Sequence, residues 1–120
     1  MADRVLFLSW GTAVRGREER SLEVFNDAVG LYGRMQQEGR IERFEIVLLE
    51  PNTTVGGYFA LHGSADQLAA VREDEDFREL LVAAQLIVED LQITDGVTDA
   101  GIAVEMERFQ RQTALVPQAH

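Results

Sequence analysis

The sequence predicts an α+β domain, a four-stranded antiparallel sheet with helices on one face, and three stretches carry that prediction. Arg43 to Gly63 reads as a long hairpin, Arg4 to Trp10 as a nearly continuous apolar strand, and Glu18 to Glu38 as a helix of three- and four-residue apolar spacing. With 120 residues, 46% of them hydrophobic, the chain can bury one core, so residues 1–120 are expected to form a single domain.

The elements follow in order. Arg4 to Trp10 (RVLFLSW) has the character of a central strand and stops at Gly11. After a loop from Thr12 to Arg17, Glu18 and Glu19 suit the positive end of a helix. Leu22, Phe25, Val29 and Tyr32, with Ala28 and Met35 beside them, mark its inner face. Gly30 and Gly33 are read as close packing of this helix on the sheet, and Gly39 as its end.

In the hairpin, Pro51 to Val55 is the connection. Pairing Leu48 with Phe59 and Ile46 with Leu61 gathers Phe44, Ile46, Leu48, Phe59 and Leu61 on one face. The same register sets Leu49 against Tyr58, Val47 against Ala60 and Glu45 against His62 on the other. Two aliphatic residues and a tyrosine left uncovered there predict a partner surface.

Ser64 to Gln67 has the form of a capping box, starting a short helix with Leu68 and Val71 inward. The acidic run Glu73 to Asp76 reads as a solvated first turn rather than a metal site. Phe77, Leu80, Leu81 and Ala84 form the stripe of a second short helix. Gln85 to Thr94 reads as the fourth strand, Asp95-Gly96 as a turn, and Thr98 as the cap of a last helix to about Gln112, with Ile102, Met106 and Phe109 on one face. Fraying is expected from Pro117.

The order β-α-β-β-α-β with an added C-terminal helix is the ferredoxin-like split βαβ plan. With Gly16-Arg17-Glu18 at the first helix start and Asp76-Phe77 at the start of the second short helix, the chain over about residues 4 to 97 resembles the dimeric α/β-barrel superfamily. The resemblance is to uncharacterised bacterial proteins and, more distantly, to antibiotic-biosynthesis monooxygenase-like proteins. It implies a homodimer joined through the sheets and a small-molecule cavity between them, worked without a metal or other cofactor. The other reading is a non-catalytic homodimeric binding or regulatory module.

Composition excludes several chemistries. The chain carries 21 acidic against 11 basic groups, a net charge of −10, and no stretch concentrates arginine, which argues against nucleic acid and anionic membranes as partners. Every cation is arginine and cysteine is absent, which removes Schiff-base chemistry, thiol nucleophiles and thiolate metal sites. The four apolar residues before Ser9 are too short for a signal peptide, so a cytoplasmic location is expected. There is no P-loop, no G-x-G-x-x-G and no G-x-S-x-G elbow around Ser9, so no hydrolase triad is assembled from Ser9 and His62.

Four residues remain as candidates, expected on the uncovered sheet face. His62 is the candidate acid–base group, its tautomer held by Glu45. Tyr58 can donate a hydrogen bond to a ligand, and Trp10 is placed at the site's edge. No metal site is expected, since no second histidine is near His62 in sequence and His120 ends the chain.

Overall fold

A computed structural model describes residues 2–117 and 119. The expectation of fraying past Pro117 bears on Gln118 and His120, which lie outside that set. The elements are β1 (Arg4–Trp10), α1 (Glu18–Gln37), β2 (Arg43–Leu48), β3 (Gly57–Gly63), α2 (Ala65–Glu73), α3 (Glu75–Gln85), β4 (Gln92–Val97) and α4 (Ala100–Thr113). The sheet runs β2-β3-β1-β4 and every pairing is antiparallel. Because β3 lies between β1 and β2, the first helix connects strands that are not neighbours, which is the ferredoxin-like arrangement.

Alternation along the strands decides what lies on each face. Leu6, Leu8, Phe59 and Leu61 point under the helices and are buried with Tyr32, Met35, Leu68, Val71 and Phe77. Val5, Phe7, Val47 and Tyr58 lie on the other face and are half-buried. The continuous apolar run of β1 therefore serves a core on one side and an outer sheet face, free of helices, on the other.

The hairpin's faces are as expected, but its register differs. Ile46 pairs with Phe59, Phe44 with Leu61, Val47 with Tyr58, Glu45 with Ala60 and Arg43 with His62. This is a shift of two residues, and a shift of two leaves each side chain on its face where a shift of one would have reversed them all. Leu49 falls in the connection, which runs from 49 to 56. Asn52 holds that connection, its Oδ1 accepting from the backbone N–H of Thr54 (3.0 Å) and Val55 (2.8 Å).

Helix α1 is rotated from the expected face. Val24, Ala28, Leu31, Tyr32 and Met35 are buried, while Leu22 is 66% exposed. Gly30 and Gly33 do not make close contact with the sheet: a Cβ at Gly33 meets nothing, and one at Gly30 meets only the Arg34 side chain. Gly39 does end the helix, at φ +74°. The capping box at Ser64 and Gln67 is present in both directions. Gln67 also donates through Nε2 to the Gly39 carbonyl (3.1 Å), tying the end of α1 to the start of α2.

Two late elements correct the sequence reading. Gln85 closes α3, and β4 starts only at Gln92, so Asp95 and Gly96 lie inside a strand rather than in a turn. The apolar residues Leu86 to Val88 belong to a connection that pairs with the loop after β1: Val14 N–H donates to the Ile87 carbonyl (2.8 Å), Glu89 N–H to Thr12 (2.9 Å) and Gly11 N–H to Glu89 (2.7 Å). Asp90 turns the chain into β4 with φ 55°. Thr98 does not cap α4 with its side chain; its Oγ1 is buried with no partner among the described residues, and the flanking position is Asp99.

Helix α4 stands away from the rest of the chain. The Cα radius of gyration is 17.1 Å, against about 14 Å for a compact chain of this length. Ile102, Met106 and Phe109 do share a face, and all three are at least half exposed. Among the described residues no helix is long and apolar enough to cross a membrane.

Candidate functional site

A cavity of about 260 Å³ lies between the sheet and the helices. Leu8, Trp10 and Phe59 form its floor, Phe25, Ala28 and Tyr32 of α1 and Leu80, Leu81 and Ala84 of α3 its walls, and Ile87 and Val88 its far end. Ala28 and Ala84 contribute only methyl groups where larger side chains would close the space. Leu22 and Leu48 also line it and are 66% and 67% exposed, so they mark its mouth. Among the described residues the lining contains no charged side chain.

Trp10 is held at the floor by glycines. A Cβ at Gly57 would lie 2.9 Å from the indole and one at Gly56 would lie 3.4 Å from its Nε1, so the ring rests on bare backbone. From there it meets Phe59 (centroids 5.4 Å apart) and Phe25 edge-on (6.3 Å). Tyr32 extends the cluster, meeting Phe59 edge-on at 5.1 Å.

The polar groups of the lining differ in state. The Ser21 hydroxyl donates to the Glu18 carbonyl (2.6 Å) and is occupied. Tyr32 is 1% exposed, and its hydroxyl has no hydrogen-bond partner among the described residues. Burial pushes the Tyr32 phenol well above its ordinary value, because the phenolate would lose its hydration, and the hydroxyl stays a neutral donor.

Of the residues singled out from sequence, Trp10 lies on the face opposite the other three. It follows Leu6 and Leu8 in the alternation of β1 to the helix side, whereas Ser9 faces outward opposite Tyr58. His62, Glu45 and Tyr58 are together on the outer face. His62 Nε2 is 2.8 Å from Glu45 Oε1, reached along the diagonal of the ladder rather than straight across it. Arg43, directly opposite His62, brings its guanidinium to 3.7 Å from the same carboxylate oxygen. The His62 side chain is 6% exposed and its Nδ1 is buried with no partner among the described residues. The Tyr58 ring packs on Phe7 with centroids 4.8 Å apart.

Among the described residues no three His, Cys, Asp or Glu side chains converge as a metal site. One member of the acidic run is more than a solvated charge: Asp74 caps α3, accepting from the Phe77 N–H (2.9 Å), and pairs with Arg40. The apolar spacing places Ala28, Tyr32 and Ala84 on inward helix faces as core residues, and none of the three as a site residue. Two alanines on otherwise bulky apolar helix faces were the available signal.

No family model matches the sequence, and no curated protein sequence matches it. Solved structures do share its fold. A dimeric protein of unknown function with a ferredoxin-like fold from Bacteroides fragilis is 13% identical, covering 79% of this chain and 96% of its own, at a TM-score of 0.59. A conserved protein from Methanosarcina mazei is 10% identical, covering 81% and 94%, at 0.61. SnoaB, a cofactor-independent oxygenase from Streptomyces nogalater, is 16% identical, covering 82% and 94%, at 0.57.

Proposed function

We propose that the chain binds a small uncharged organic molecule in the cavity between its sheet and helices α1 and α3, as one half of a homodimer joined through the outer sheet faces. The observation that carries the site is the cavity itself, about 260 Å³ of apolar, aromatic-floored space with a mouth at Leu22 and Leu48. Its lining offers no carboxylate, imidazole or thiolate to hold a metal. The dimer is supported by the half-buried apolar groups Val5, Phe7, Val47 and Tyr58 on a face no helix covers. A dimeric neighbour of the same fold is in keeping with it.

Trp10 is the chain's single tryptophan and lies at the cavity floor, so its fluorescence reports occupancy directly. Titration with the bicyclic hydrocarbon indane is expected to change that emission saturably in the wild type. In Ala84→Phe, where the new ring fills the space, the change should be lost while the circular dichroism is kept. A wild-type emission that never responds, with thermal stability equally unmoved, sinks the site.

The competing proposal places the ligand between the two sheets, with His62 as an acid–base group and Glu45 and Tyr58 as contacts, or leaves that face as the interface of a non-catalytic module. Its support is the unpartnered, buried Nδ1 of His62 beside the Glu45 pair. Ligand-induced shifts of the His62 ring resonances, with Trp10 emission constant, decide for that face.

A further inference from the structure

We infer that the cavity selects a neutral molecule of about two fused rings that carries a hydrogen-bond acceptor, and that the Tyr32 hydroxyl is the donor that recognises it. This rests on the reading of the cavity as a binding site.

Size comes from volume. An apolar cavity of about 150 Å³ takes up a single benzene ring, so about 260 Å³ accommodates roughly a bicyclic molecule. Shape preference comes from the aromatic lining, where Trp10, Phe25 and Phe59 stand tilted or edge-on to one another at 5.4 to 6.3 Å. A flat ring entering among them finds the same edge and face partners they give each other. Neutrality follows from the lining, which holds no charged side chain to compensate an ion removed from water.

The acceptor follows from Tyr32. Buried polar groups are nearly always hydrogen-bonded, yet this hydroxyl has no partner among the described residues. It is also not among the buried, unpartnered side-chain atoms sealed from all contact with solvent, which in the described residues are His62 Nδ1 and Thr98 Oγ1. A residue that is 1% exposed thus keeps its small accessible surface at the hydroxyl, and the space Tyr32 borders is the cavity. An oxygen or aromatic nitrogen on the ligand completes that donor, whereas a hydrocarbon of equal shape leaves it unpaired.

The test compares 1-indanone with indane, which differ by the carbonyl, using Trp10 emission in the full chain. Tyr32→Phe should weaken indanone by up to about tenfold and leave indane nearly unchanged, since only the ketone uses the donor. Infrared spectroscopy gives a readout that needs no variant: the carbonyl stretch of bound indanone should lie below its position in a hydrocarbon solvent. An indanone affinity that Tyr32→Phe leaves unchanged, or an equal loss for indane, overturns the role of Tyr32 and leaves the cavity reading standing. An unshifted carbonyl stretch does the same. Binding of neither compound overturns both.

Discussion

The Arg40 guanidinium donates to the Asp74 carboxylate, joining the turn after α1 to the first residue before α3 across 34 positions of chain. Burial works against the Asp74 charge, but the Phe77 N–H and the Arg40 side chain outweigh it and hold the carboxyl below its ordinary value. A group whose folded pKa is depressed stabilises the fold above its unfolded pKa, about 3.8 here, and loses that contribution as pH falls through the lower folded value. Replacing Asp74 with alanine is expected to cost about 1–2 kcal/mol at neutral pH. In urea melts the gap between wild type and variant should be constant above about pH 5 and close below pH 4.

Leu61 and Leu48 share a sheet face and should still behave differently. Leu61 is fully buried, so Leu61→Ala should cost about 2–5 kcal/mol. Leu48 stands at the cavity mouth, 67% exposed, and Leu48→Ala should cost less than about 0.5 kcal/mol. Denaturant midpoints at unchanged slope measure both. A large loss at Leu48 would mean that this rim is covered in solution.

Gly33 and Gly39 are expected to respond to alanine with opposite signs. At Gly33 a methyl group meets nothing and the helix gains about 0.5–1 kcal/mol. At Gly39 the φ of +74° is one an alanine adopts at a cost of about 1–2 kcal/mol. Thermal melts of the two variants side by side check the pair.

Val47 tests the proposed dimer. Wild type should sediment as a dimer at micromolar concentration, and Val47→Arg, a charge on the outer sheet face, should sediment as a monomer with its circular dichroism kept. A wild-type monomer at that concentration removes the sheet-to-sheet dimer.

Period-two alternation carried the legible part of the fold. Phe44, Ile46, Phe59 and Leu61 fall on the expected face even though the register differs by two, because faces repeat every second residue. Position along the chain was harder. Leu86 to Val88 is as apolar as a strand, and only its pairing with the loop after β1 makes it a connection. Trp10 follows Leu6 and Leu8 in the alternation of β1, and that alternation by itself puts it on the face opposite His62. The state of Tyr32 was not legible at all. A tyrosine on an apolar helix face reads as core, and whether its hydroxyl finds a partner depends on what α3 and the sheet place across from it.

Helix α4 carries a further consequence for backbone dynamics. Fourteen residues are close to the shortest length at which a helix sustains itself in water, since nucleation is costly and each added turn returns little. Among the described residues its first turn is pinned, where Gly101 sits against the Asp3 carbonyl, while Ile102, Met106 and Phe109 face outward. The amide protons beyond that turn should therefore exchange with solvent far faster than those of α1, on a scale set by local fraying rather than by global unfolding. Any surface that covers the stripe would slow them, which makes exchange protection along α4 a direct measure of its occupancy.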